Sequence, residues 1–151
     1  MKLLKSFGYA SKGIWSAIRN EMNFRIHTVA AVSVAMFATV YGVNRTQAAV
    51  LTLIICLVMA MELLNTTAES IVDLISPERS KMAQIAKDSA AAAVLALAIG
   101  AVIIAVFIFS DIEKLKAVLD FAIEHIAFFT VYIVVCVFYI FGIKPIKKRK
   151  R

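Results

Sequence analysis

The chain has 151 residues, of which 62% are hydrophobic, and it carries a formal net charge of +7. Soluble domains contain about 45–50% apolar residues, so this composition excludes an ordinary soluble globular protein. The positive charge does not require a nucleic-acid partner, because anionic lipids attract basic segments next to membrane spans in the same way. We therefore predict an integral membrane protein with no nucleic-acid partner.

The chain reads as one surface helix followed by four apolar segments. Residues 1–25 alternate apolar and basic positions, as is typical of an amphipathic helix lying at the membrane surface. The apolar runs predict spans at about 26–43, 48–64, 89–109 and 121–143, the last two close to the roughly 20 residues that cross a bilayer. The loop before the third span is expected to reach about Ala86, with Asp88 capping the helix that follows.

The expected fold is therefore all-α and membrane-embedded. It has an N-terminal surface helix and three spans within residues 1–110, and an outside linker, a fourth span and a basic tail within residues 111–151. Basic residues cluster before the first span, between the second and third spans and after the fourth. The positive-inside rule then predicts that both termini are cytoplasmic.

Four polar residues follow the second apolar run at helical spacing. Glu62, Asn65 and Glu69 stand at i, i+3 and i+7, and Asp73 lies one turn further, so a continued helix would place them on one stripe. Such oxygen ligands suit Mg²⁺, particularly Mg²⁺ carried by nucleotide phosphates. The alternative is a solvated helix end just outside the membrane, and the role of Asp73 stays open.

Glu21 is the one acidic residue of the N-terminal segment, and two interpretations of it remain open. It pairs locally with Arg25 at i+4, or it turns toward the Glu62 stripe and completes a metal site. Cys56 and Cys136 have no CxxC spacing and no nearby His partner, so we expect them to be small core or lipid-facing residues. His27 and His125 do not form a ligand-spaced pair, so structural or interfacial roles are expected for them.

The usual nucleotide-binding motifs are missing. Gly8 and Gly13 have the separation of a phosphate-binding loop, but Ile14 and Trp15 stand where Lys and Ser or Thr are required. Phosphoryl transfer needs mainly positioning, a base and charge neutralisation. Glu62, the deepest acid of the stripe, is the natural base for a lipid hydroxyl arriving at that depth.

Three strings carry a resemblance to a known family. Residues 19–27 (RNEMNFRIH), residues 62–69 (ELLNTTAE) with Val72-Asp73, and residues 86–94 (AKDSAAAAV) resemble the prokaryotic diacylglycerol kinase/undecaprenol kinase family in content and order. The resemblance covers roughly residues 1–110. It implies a homotrimer of three-span subunits that uses ATP and Mg²⁺ at the cytoplasmic surface to phosphorylate a membrane lipid.

The resemblance also implies roles for individual residues. Glu62 resembles the catalytic base, and Asn65 resembles the residue that orients the reacting groups. Glu21 and Glu69 resemble the Mg²⁺ ligands, while Lys87 and Asp88 resemble a nucleotide-contacting pair. Weaker matches on the surface helix suggest nucleotide and lipid contacts for Lys2, Lys5, Tyr9 and Lys12.

Two questions stay open at this point. The string from Asn23 to His27 resembles the branch associated with undecaprenol more than the diacylglycerol branch, and both lipids remain candidate acceptors. The alternative to a kinase is a non-enzymatic membrane oligomer that binds cations through the acid stripe. The fourth span lies outside the family core, so the resemblance assigns it no role.

Overall fold

The computed structural model describes residues 2–76 and 80–144, and the regular elements in these residues are all α-helices. The predicted basic tail beyond residue 144 lies outside the described residues. The helices are α1 (Lys2–Asn20), α2 (Met22–Tyr41), α3 (Arg45–Ile75), α4 (Lys81–Ile108), α5 (Ile112–Glu124) and α6 (Ile126–Phe141). The all-α prediction is confirmed for the described part of the chain.

Three helices are long and apolar enough to cross a membrane. They are α2 with 20 residues, α3 with 31 and α4 with 28, in agreement with the three spans predicted within residues 1–110. At 1.5 Å per residue α3 is about 46 Å long, so it exceeds the ~30 Å of a hydrocarbon core by several turns. A helix of this length has room for polar residues near its C-terminal end in addition to a membrane-spanning part.

The surface helix α1 is separated from α2 by a single extended residue. Glu21 has φ −110° and ψ 112°, which interrupts the helix between Asn20 and Met22. Ala17 is buried at this junction, whereas the apolar side chains of Phe7 and Trp15 are more than half exposed. Exposed apolar side chains beside basic ones are what a membrane-surface helix requires, and that location of α1 stays a prediction.

The turn between α2 and α3 is built from glycine and asparagine. Gly42 ends α2 with φ 72°, the left-handed conformation that glycine adopts without steric cost, and its N–H donates to the Ala38 carbonyl. Asn44 and Gln47 then form a reciprocal capping box at the start of α3. This short connection makes α2 and α3 sequential, closely spaced spans.

The start of α4 differs from the prediction. The helix begins at Lys81, where the Ser80 hydroxyl accepts from the Ala83 N–H, so the loop does not reach Ala86 and Asp88 is not the cap. Hydropathy indicates only the apolar part of a helix. The first turns of α4 are more polar, so hydropathy does not reveal that the helix already begins there. As a result, Asp88 lies within α4.

The predicted fourth span, 121–143, is interrupted at His125. Helices α5 and α6 meet there at an angle of 87°, and α6 alone has 16 residues. Neither helix alone is long enough to cross a membrane, and the two are long and apolar enough only as a bent pair, so the fourth span stays a prediction. The two hydroxyls of Tyr132 and Ser33, 2.8 Å apart, fix α6 alongside α2.

Candidate active site

The polar stripe lies on one continuous helix, as predicted, at the end of the bundle next to α1, which we call the α1 end. All four residues belong to α3, and their burial decreases along it. Glu62 and Asn65 are 3% and 8% exposed, Glu69 is half-buried and Asp73 is exposed. The solvated-helix interpretation therefore fits Asp73 but not the two residues at the deep end.

A histidine faces the deepest carboxylate. The Nε2 of His27 on α2 lies 3.3 Å from Oε1 of Glu62 on α3. Sequence reasoning gave His27 a structural or interfacial role, because it has no ligand-spaced partner along the chain. The sequence does single out His27 in another way, because it lies in residues 19–27, the first string that resembles the family. Spacing could not predict the contact, since spacing within one helix does not reveal a contact between two helices.

Asn65 presents an unsatisfied acceptor. Its Nδ2 donates to Oε1 of Glu69 at 3.2 Å, one turn further along α3. Its Oδ1 is buried and has no hydrogen-bond partner among the described residues. A buried polar atom without a partner costs about 1–3 kcal/mol, so this oxygen is suited to a cation or a donor brought by a ligand.

Glu21 lies on the same side of the bundle as the stripe. Both Glu21 and Glu69 interact electrostatically with Glu62, which agrees with the second interpretation of Glu21. The local pair with Arg25 is absent from the described ion pairs, since the Arg25 guanidinium donates to backbone carbonyls instead.

No group of three or more His, Cys, Asp and Glu side chains is placed to hold a metal ion within residues 2–76 and 80–144. The assignment of Glu21 and Glu69 as Mg²⁺ ligands therefore stays a prediction. The donor set nevertheless has the right chemistry, because carboxylate oxygens of Glu21 and Glu69 and the unpaired oxygen of Asn65 are hard ligands.

Lys87 and Asp88 line a polar pocket between the end of α3 and the start of α4. The pocket has a volume of about 470 Å³ and also includes Asp73, Ser80 and Gln84. The Lys87 ammonium pairs with the Asp73 carboxylate across the two helices. This contact gives Asp73 a structural partner that its spacing did not predict.

The candidate residues of α1 stand apart from the acid stripe. Lys5, Tyr9 and Lys12 are exposed, and the Lys12 ammonium lies 6.0 Å from the centre of the Tyr9 ring. None of their described contacts reaches the stripe, and the side chain of Lys2 lies outside the described residues. A groove of about 570 Å³ lies between α1 and α3, and its lining combines small residues such as Ala10 and Thr66 with large apolar ones such as Leu74.

An apolar groove lies on the N-terminal side of Glu62 along α3. It has a volume of about 300 Å³ and lies between α2, α3 and α4, with His27 among its lining residues. Val58 and Met59, one turn before Glu62, form part of its wall, together with alanines of α4. His27 therefore borders this groove and also contacts the buried carboxylate of Glu62.

Taken together, the helices and the site define a membrane-embedded protein with a buried acid at a boundary between apolar and polar surroundings. Residues 8–109 match the family described as prokaryotic diacylglycerol kinase, and the chain belongs to that family. The matched range agrees with the extent of the resemblance found in the sequence, and it ends before α5.

Curated relatives carry two lipid-kinase names. The chain is 48% identical over 103 residues to a diacylglycerol kinase of Synechocystis sp., a match that covers 68% of this chain and 59% of the relative. It is 37% identical over 108 residues to the undecaprenol kinase of Bacillus subtilis, covering 72% and 88% of the two chains. It is 36% identical over 102 residues to the diacylglycerol kinase of Escherichia coli, covering 68% and 84%. The chain is therefore classed as a lipid kinase, and these names give no support to the non-enzymatic alternative.

Proposed function

We propose that the protein transfers the γ-phosphoryl group of ATP, with Mg²⁺, to the hydroxyl of a membrane lipid alcohol. The observation that carries this proposal is the position of Glu62 on α3. The apolar groove ends one turn before it, and the polar pocket of Lys87 and Asp88 begins further along the same helix. A lipid and a nucleotide approaching from opposite directions would meet at this carboxylate.

Glu62 acts as the general base in this mechanism. Its carboxylate takes the proton of the lipid hydroxyl, the lipid oxygen bonds to the γ-phosphorus, and the bond from that phosphorus to the ADP oxygen breaks. His27, 3.3 Å from Oε1 of Glu62, holds the carboxylate in position. Asn65 orients the reacting groups through its unpaired oxygen. Protonated Glu62 then returns its proton to water or to the departing product.

Glu21 and Glu69 would hold Mg²⁺ together with the nucleotide phosphates. Bound there, Mg²⁺ would supply the positive charge that neutralises the phosphate oxygens. Lys87 and Asp88 would contact the nucleotide from the polar pocket, and Lys5, Tyr9 and Lys12 would contribute from α1. Both termini and the α1 end would be cytoplasmic, as the distribution of basic residues predicts.

Either undecaprenol or diacylglycerol is the proposed acceptor. Both lipids place a single hydroxyl at the head of long apolar chains, which suits a carboxylate at the end of an apolar groove. The sequence preference for undecaprenol is modest, and relatives with both names match the chain. The acceptor is therefore decided by comparing the rates measured with each lipid separately.

The test is transfer of labelled phosphate from ATP and Mg²⁺ to each lipid, offered separately to purified protein in micelles. We expect label in at least one lipid, and a loss of about 10²–10⁴-fold in the initial rate for Glu62→Gln, because general bases typically contribute this much. The matched control is Glu124→Gln at the exposed end of α5, which should retain the wild-type rate.

Wild-type rates in Glu62→Gln would remove Glu62 as the base. The absence of label in both lipids, from protein that remains assembled and binds ATP, would contradict the kinase proposal itself.

A further inference from the structure

Arg25 is a buried cation at the junction of α1 and α2. Arg25 is 6% exposed and lies one turn after the helix break at Glu21. A buried guanidinium is costly unless its N–H groups are satisfied, and carboxylates usually supply the partners. Among the described residues no carboxylate pairs with Arg25, so other acceptors stabilise it.

Those acceptors are backbone carbonyls at two helix ends. Nη1 of Arg25 donates to the carbonyls of Ile18 at 3.0 Å and Arg19 at 3.3 Å, in the last turn of α1. Nε donates to the carbonyl of Ile140 at 2.9 Å, in the last turn of α6. The last carbonyls of a helix have no partner within it, and each helix C-terminus carries about −0.5 of an elementary charge. Two such ends together match the single positive charge of Arg25.

Helix α6 is held against α2 along its length. Tyr132 meets Ser33, and eight residues later Ile140 meets Arg25, so α6 runs antiparallel to α2 in constant register. At the far end the Asp111 N–H donates to the Tyr41 hydroxyl. The segment from Asp111 to the end of α6 is thus fastened to α2 at both ends and in the middle.

Arg25 stands between two residues of the site. Glu21, four residues before it, interacts electrostatically with Glu62, and His27, two residues after it, contacts Glu62 directly. The guanidinium therefore joins α2 to the last turn of α1, next to Glu21.

We propose that Arg25 is a positioning residue through which the C-terminal end of α6 holds the α1–α2 break, and so sets the position of Glu21 relative to Glu62. This inference rests on the proposed kinase function for its catalytic consequence, but the link between α6 and α1 does not. It gives the segment outside the family match a role at the proposed active site.

The test measures the Mg²⁺ concentration that gives half the maximal rate of lipid phosphorylation. Arg25→Ala should raise this concentration about tenfold, the effect of losing a hydrogen bond to a charged group, while the KM for the lipid stays unchanged. Arg25→Lys should restore part of the loss, because an ammonium keeps the charge but lacks the planar fork that reaches both helix ends.

A proline in the last turn of α6 tests the link without changing α1, α2 or α3. Ile140→Pro distorts that turn and displaces the carbonyl that accepts from Arg25, so it should change the Mg²⁺ dependence in the same direction as Arg25→Ala. The matched control is Ile112→Pro, at the first position of α5, where proline is tolerated and Mg²⁺ dependence should stay at the wild-type value.

A second readout needs no turnover. Trp15 is the only tryptophan of the chain, and it lies on α1 one turn before Arg19, whose guanidinium is 5.7 Å from its ring. Acrylamide should quench Trp15 more strongly in Arg25→Ala and Ile140→Pro than in wild type. If the wild-type protein phosphorylates neither lipid, the proposed function fails, and this quenching still decides whether α6 holds α1.

Wild-type Mg²⁺ dependence and wild-type quenching in Ile140→Pro would overturn the proposal, whatever Arg25→Ala does. If Arg25→Ala changes the Mg²⁺ dependence and Ile140→Pro does not, Arg25 acts through its hydrogen bonds to the end of α1 and not through α6. If Arg25→Ala does not fold, Ile140→Pro and Arg25→Lys carry the test.

Discussion

Glu62 is a buried carboxylate with two other carboxylates nearby, and such a residue needs a compensating partner. The negative charges of Glu21 and Glu69 repel that of Glu62. His27, 3.3 Å from Oε1 of Glu62, acts in the opposite direction and favours the charged carboxylate. Removing one partner of a buried polar pair costs more than the pair itself contributes, because the remaining group is left desolvated. The contact between His27 and Glu62 should therefore matter for both the position and the ionisation of the base.

We expect His27→Ala to lower kcat for lipid phosphorylation about 10- to 100-fold, with little change in the KM for the lipid, because Glu62 loses the side chain that contacts and orients its carboxylate. His125→Ala is the control, since the other histidine of the chain is exposed at the break between α5 and α6. Initial rates over a range of lipid concentrations measure both constants. An unchanged kcat in His27→Ala would show that Glu62 does not depend on this contact.

Some side chains of the site follow from the sequence, and others do not. The positions of Glu62, Asn65 and Glu69 on one helix follow from their spacing, because helical periodicity is local. The contact of His27 with Glu62 and the contact of Arg25 with Ile140 join residues of different helices. Periodicity carries no information on how one helix is placed against the next, so neither contact could be predicted.

At the scale of elements, the pairing of α3 with α4 shapes the polar pocket. Helix α3 ends at Ile75 and α4 starts at Lys81, so the two helices are adjacent at the α1 end. Hydropathy indicates the apolar part of each helix but not how far the helix continues beyond that part, so the predicted cap at Asp88 is wrong and Ser80 is the cap. The bend at His125 was missed for a related reason, since hydropathy is similar on both sides of a break.

The ion pair of Lys87 with Asp73 raises the question of whether Lys87 serves structure or nucleotide binding. The two side chains are 37% and 51% exposed, and such pairs contribute about 0–1 kcal/mol. We expect Lys87→Gln to raise the KM for ATP about tenfold, the effect of losing one charge-assisted contact to phosphate. Asp73→Asn should change it by less than about twofold and lower the free energy of unfolding by less than ~1 kcal/mol.

Steady-state kinetics at varied ATP and a thermal melt of each variant separate these effects. Equal, small losses of stability in both variants, with an unchanged KM for ATP, would show that Lys87 only pairs with Asp73.

At the scale of the whole molecule, much apolar surface of α4 has no partner within the chain. Val94 is the buried residue of α4 in the described structure, while Leu95, Val102 and Val106 are each more than 60% exposed. Lipid covers such a surface well, but small residues at intervals of four also permit close helix packing. Ala92, Ala96 and Gly100 have this spacing, and the first two are exposed.

The homotrimer implied by the family resemblance makes a specific prediction for that surface. Native mass spectrometry in micelles should give three chains for the wild-type protein. Ala96→Leu should shift the assembly toward single chains, because a large side chain at a small-residue contact prevents the helices from approaching. Val102→Leu, on a surface that is already large and apolar, is the matched control and should leave the mass unchanged. A wild-type protein that is fully active as a single chain would contradict the trimer, and a trimer that tolerates Ala96→Leu would place the contact on another helix face.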